Sequence, residues 1–90
     1  MATVYTDDPD AYVTFTVRSA DGANVDWSSP VVAIGPGDYQ VAATWLGDPA
    51  PSRQIKVPIV GLAVNSYRLY LRVPNGTDIK LGDIRVSARS

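Results

Sequence analysis

The sequence predicts an all-β domain: a single antiparallel β-sandwich, or a small barrel, of about six or seven short strands. Strict alternation predicts it first, above all where Tyr67, Leu69, Leu71 and Val73 alternate with Arg68, Tyr70 and Arg72. Punctuation predicts it second, because Gly, Pro and Asp-rich turns recur roughly every eight to twelve residues. Composition is the third sign. Glutamate is absent, and all nine acidic residues are Asp, a turn and cap former. Val, Ile, Thr and aromatic residues, which suit a pleated half-buried surface, are abundant. No segment carries a helical stripe.

Residues 1–10, "MATVYTDDPD", read as an N-terminal arm or a short edge strand ending in a turn. The sandwich proper is expected over residues 11–90. In "AYVTFTVRS" (11–19), Val13, Phe15 and Val17 take one face, with Tyr12, Thr14, Thr16 and Arg18 on the other. "ADGA" then turns the chain, Asp-Gly being a strong turn pair. After the irregular "NVDWSSP" (24–30), "VVAI" (31–34) is a short apolar strand and "GPGD" (35–38) a hairpin loop. "YQVAATWLG" (39–47) reads as one strand with Tyr39, Val41, Ala43 and Trp45 together. Ala42 and Leu46 blur its alternation, which suits a strand covered on both sides.

"DPAPS" (48–52) has two prolines and cannot be a central strand. "RQIKVPIV" (53–60) places Ile55, Val57 and Ile59 inward. Pro58 has no N–H for a ladder bond, so this strand is expected at an edge or bent there. "GLAVNS" (61–66) turns the chain into the strand of the Arg–Tyr alternation. In "VPNGT", Pro74 suits a type I turn and Gly76 a left-handed closing position, giving a hairpin loop of about three to five residues. In "DIRVSA" (83–88), Ile84 and Val86 face one way and Asp83, Arg85 and Ser87 the other.

Ninety residues make one domain, and one this small buries only about 60–65% of the surface its unfolded chain exposes. Eight basic and nine acidic residues leave a net charge of −1. That balance argues against a nucleic-acid partner and against attachment to anionic membranes. The chain has no cysteine, hence no disulfide, thiol nucleophile or thiolate metal site. It has no histidine, the commonest general base and transition-metal ligand. The first residues lack a basic and then apolar leader, so no signal peptide is expected, and no run approaches a membrane span.

Candidate sites are few. Asp7, Asp8 and Asp10 cluster carboxylates that can ligate calcium, yet they lack the spacing and glycine of an EF-hand loop and read as a solvated turn. Asp38 with Asp48, or Asp78 with Asp83, can be imagined as a glycosidase pair, but nothing sets them across a cleft. "GPGDY" is not followed by the Lys-Ser/Thr of a phosphate loop. No catalytic residue, metal or cofactor is therefore expected. Trp45 reads as core; Trp27 stands between a core lid and a contact residue. The most suggestive surface is Arg68, Tyr70 and Arg72, joined by Arg85 and Arg18, because Arg and Tyr are enriched where proteins touch proteins.

Three stretches carry a resemblance: "DPDAYVTFTVRSADGANVD", "YQVAATWLGDPAPSRQIKV" and "SYRLYLRVPNGTDI". Over residues 9–88 the chain resembles small virion proteins of tailed bacteriophages, particularly those infecting actinobacteria. It is also similar to the immunoglobulin-like sandwich that opens some phage baseplate proteins. The chain runs almost directly from "VVAIGPG" into "DYQVAATW", where similar proteins often carry a longer insert. The resemblance implies an immunoglobulin-like fold and a non-enzymatic structural role in the virion, made in the host cytoplasm. Capsid decoration, as a minor capsid protein bound to the major capsid protein, is the leading expectation. A head-to-tail connector, a tail or baseplate component, and a carbohydrate-binding module are the alternatives; the last predicts Trp27 or Tyr70 exposed beside Asp or Asn. Other virion proteins are the expected partners, with a homo-oligomer open. Segment 1–10 and the strand edge near Pro58 are the expected places for strand addition to a neighbour.

Overall fold

Alternation of apolar and polar residues is repeated in space as two facing sheets. The computed structural model describes residues 2–37, 39–74 and 76–88. Its strands are β1 (Ala2–Tyr5), β2 (Tyr12–Arg18), β3 (Val31–Gly35), β4 (Tyr39–Ala42), β5 (Thr44–Leu46), β6 (Ser52–Pro58), β7 (Asn65–Arg72) and β8 (Ile79–Ser87). One sheet runs β1-β8-β7-β3-β4 and the other β2-β6-β5. The fold is an all-β sandwich with the immunoglobulin-like arrangement. Strands β2, β6 and β5 take the places of B, E and D, strands β3, β7 and β8 those of C, F and G, and β4 is an added strand beside C.

Between the sheets lie the alternate residues that the sequence singles out. Val13 and Val17 of β2, Ile55 and Val57 of β6, Leu69 and Leu71 of β7, and Ile84 and Val86 of β8 are all buried, joined by Val32 and Ile34 of β3. Among the described residues no polar or charged one is buried. Stability thus rests on area removed from water, at about 25 cal/mol per Å2 of apolar surface.

Several expectations are corrected. Among the described residues the strands number eight, slightly more than the six or seven expected. One reason is that 39–47 is two strands in two sheets. At Ala43 the chain leaves β4 and crosses to β5, held by the Ala43 N–H donating to the Pro30 carbonyl at 2.9 Å. The blurred alternation marks this crossing, not a strand covered on both sides: β4 and β5 are each the outermost strand of their sheet. Val41 and Trp45 pack on the core, whereas Tyr39 stays exposed.

A second correction concerns Pro58. Strand β6 is the central strand of its sheet, paired with β2 and β5, and Pro58 is its last residue. The Ile59 N–H donates to the Ala11 carbonyl on the β2 side. The neighbouring nitrogen, that of Pro58, therefore points to the β5 side. Pairing there stops at Lys56 opposite Thr44, so no partner is deprived of a donor. Third, pairing is not purely antiparallel. Strand β1 runs parallel to β8, with Val4 opposite Val86. A parallel pair needs a long connection, and here the whole domain supplies it.

Tyr67 fixes the entry to β7. Its ring is buried, and its hydroxyl donates to the Ala63 carbonyl at 2.7 Å. This is the tyrosine corner of immunoglobulin-like domains, with Leu69 standing two residues on, where a disulfide cysteine sits in antibody domains. Tyr67→Phe is expected to cost about 0.5–1.5 kcal/mol, the worth of one hydrogen bond. The check is a lower urea midpoint at unchanged slope.

Strand β8 departs from regularity once. Tyr70 pairs with Lys80 but Leu69 with Gly82, so Leu81 is an extra residue in a bulge. Without it, Asp83 would face the core and Ile84 the solvent.

Candidate protein-contact face

The outer face of the five-stranded sheet is built by cross-strand rows. Arg68 stands between Gly35 of β3 and Asp83 of β8. Tyr70 stands between Ala33 and Lys80, and Arg72 lies opposite Val31. Arg85 is one row further, opposite Ser66 and beside Thr3 of β1. The fold thus brings Arg68, Tyr70, Arg72 and Arg85 onto one surface, with small residues on β3 next to the Arg–Tyr column, whereas Arg18, expected beside them, lies on β2 of the other sheet. A shallow depression of about 460 Å3 opens there, lined by Gly35, Pro36, Ser66, Arg68, Tyr70 and Asp83.

The arginines are not bare. Arg68 Nε lies 3.3 Å from Asp83 Oδ1, and Arg72 Nε 3.2 Å from Asp78 Oδ1. Both pairs are solvent-exposed, and such pairs add little stability. Their effect is directional, because each holds a long side chain along the sheet. The Tyr70 hydroxyl, and after it Asp83, raises the Arg68 guanidinium above its ordinary pKa. Arginine is charged at any working pH, so the surface keeps its cations throughout. The sequence names both aspartates but pairs neither with an arginine. The signal for Asp83 was the five-residue spacing of Ile79 and Ile84, which stand opposite the buried Leu71 and Tyr67: that spacing sets both on one row only across a bulge, even though Ile79 itself stays exposed. That bulge sets Asp83 against Arg68.

Trp27 lies elsewhere. It is half-buried against the core, its ring edge-on to Trp45 with centroids 5.2 Å apart and planes at 87°. Trp45 Nε1 donates to the Trp27 carbonyl at 2.8 Å. Arg53 completes this lid: its guanidinium sits 5.3 Å from the Trp45 ring centre and donates to the carbonyls of Val25 and Gly47 at 3.1 and 2.8 Å. Arg53 has the inward parity of Ile55 and Val57, which is the sequence sign that it caps the core. The lid ties the irregular segment 24–30 to the three-stranded sheet.

The remaining candidates are loops. Asp8 Oδ1 accepts from the Asp10 N–H at 3.0 Å, an Asx turn. Among the described residues no three carboxylates gather as metal ligands. Asp78 and Asp83 are each engaged by a different arginine. The pair with Asp48 includes Asp38, which lies outside the described residues. No family model, curated protein or solved structure matches the chain.

Proposed function

We propose that this chain is a non-enzymatic structural protein of a tailed-phage virion, a decoration or minor capsid protein that binds the capsid lattice through the outer face of its five-stranded sheet. The observation that carries the reading is the oriented column of Arg68, Tyr70 and Arg72 beside small β3 residues. Arg and Tyr carry a large share of the energy at protein contacts, and a depression next to them accepts a partner's side chain. The likeness of its three strand segments to small phage virion proteins supplies the biological setting. Many weak contacts repeated over a lattice sum to firm attachment, so a thin single-site affinity suffices.

The test is co-sedimentation with DNA-filled heads that lack tails. Fixed stoichiometry on such heads supports the proposal. Absence from them removes it, and recovery with tails or connectors transfers the domain there. Arg72→Ala, read in the same assay, is expected to weaken attachment by about fivefold or more, the effect of losing a contributing contact. Its thermal midpoint is expected to stay nearly that of the parent, since the arginine covers no core.

A further inference from the structure

Sheet margins are sites of reactivity in small β proteins, because their backbone N–H and C=O groups lack partners. Four strands of this sandwich lie at margins: β1, β4, β5 and β2. The first three span only four, four and three residues, whereas β2 spans seven. Natural edges are blunted by prolines, bulges, inward charges or brevity. Strand β2 has none of these. Its sequence, YVTFTVR, holds no proline, and its one charge is Arg18 at the final position. Thr, Val, Tyr and Phe are strong strand formers.

Parity tells which groups are free. The Ala11 carbonyl accepts from Ile59, and the Ser19 N–H donates to the Pro51 carbonyl. Odd-numbered residues therefore turn their backbone groups toward β6. Those of Tyr12, Thr14, Thr16 and Arg18 point to the open margin, where no strand among the described residues pairs with them. Beside this margin runs a groove of about 620 Å3, bordered by Ala2, Thr3, Tyr12, Thr14, Phe15 and Gly82.

We propose that β2 pairs antiparallel with β2 of a second copy of this chain, about a two-fold axis at Phe15, joining the two three-stranded sheets into one. The sequence of β2 is complementary to itself in this register, the one that overlaps all seven residues. Thr14 stands opposite Thr16 of the partner subunit, Val13 opposite Val17 of the partner subunit, and Phe15 opposite its own equivalent. Thr–Thr and aromatic pairs favour such ladders. Arg18 stands opposite Tyr12 of the partner subunit and diagonal to Asp10 of the partner subunit, so a carboxylate stands near it as well as the Lys56 ammonium that each copy holds 4.3 Å from its own Tyr12 ring centre. Arg18 makes no ion pair among the described residues, which leaves its charge available. The outward-pointing groups are all on even residues, and this register pairs even with even, as hydrogen-bonded antiparallel pairs require. The surface is on the sheet opposite to the Arg–Tyr column, so the inference does not depend on the capsid reading.

An edge pair buries less than a standard interface, so the association is weak and concentration-dependent. Sedimentation equilibrium across a dilution series is expected to show monomer passing to dimer. Residue-level hydrogen exchange is expected to find Val13, Phe15 and Val17 amides protected at every concentration. The amides of Tyr12, Thr14, Thr16 and Arg18 are expected to slow only where dimer forms. Thr16→Pro deletes an outward-facing donor on an edge strand, where proline is tolerated; it should fold and remain monomeric. A parent that stays monomeric at millimolar concentration overturns the proposal. So does a folded Thr16→Pro that still dimerises, or protection that appears at β1, β4 or β5 instead. Should Thr16→Pro not fold, the exchange pattern of the parent decides the matter.

Discussion

Leu71→Ala is expected to lower the unfolding free energy by about 2–5 kcal/mol, the range for truncating a fully enclosed leucine. Leu71 has no solvent exposure and stands opposite Val32 of β3 and Ile79 of β8, in the middle of the larger sheet. The cluster around it includes Val32, Ile34, Ile55 and Val57, all likewise closed to water. β-Branched neighbours on paired strands relax poorly into a void, which places the cost toward the upper part of the range. A domain of this size has only a few kcal/mol to spare, so the variant should be partly unfolded at physiological temperature. Chemical denaturation compared with Arg72→Ala is decisive. If the arginine variant unfolds and the leucine variant does not, the inward and outward faces of β7 have been interchanged.

Gly82→Ala is expected to be nearly as damaging, at about 2–4 kcal/mol, for two separable reasons. Gly82 has φ +156°, a conformation that side-chain-bearing residues adopt only at a cost of about 1–3 kcal/mol. A Cβ there would also stand 2.9 Å from Phe15 Cε1 and 3.6 Å from its Cδ1. Phe15 is partly buried against the core from the opposite sheet, so its ring cannot withdraw without exposing apolar surface. A double-mutant cycle separates the two terms. Phe15→Leu introduced together with Gly82→Ala should recover the steric share and leave the backbone share. Full additivity would show that the ring and the bulge do not meet. The same cycle bears on function, because the bulge that needs Gly82 is what presents Asp83 to Arg68.

Much of the fold is legible in single strands. Val13 and Val17, Ile55 and Val57, Leu69 and Leu71, and Ile84 and Val86 each announce an inward face by period two, and each is buried. Turns at Asp21-Gly22 and Gly35-Pro36 are read from local chemistry alone, which is why their positions were recoverable. The misreadings share one cause. The stretch 39–47 divides at Ala43 between two sheets, and Pro58 ends a central strand rather than lying at an edge; residues 2–5 are the short edge strand expected, and only its partner, β8, is new. In each case what matters is which strand lies alongside, and that is fixed by partners far away in the chain. Arg53 and Trp27 illustrate the same limit. The letters leave Trp27 between a core lid and a contact residue and give Arg53 only an inward parity; the lid around Trp45 shows both holding a loop to a sheet.

For the candidate face, the sequence by itself determined that Arg68, Tyr70 and Arg72 project to one side of β7, because neighbours two apart on a strand share a face whatever the strand pairs with. The tertiary structure alone decided what stands beside them: small residues of β3 on one flank, and Asp83 with Lys80 on the other. Alternation is a property of one extended chain, whereas register depends on a bulge and on pairing between distant segments. That is why the direction of each side chain could be read from the letters and its company could not.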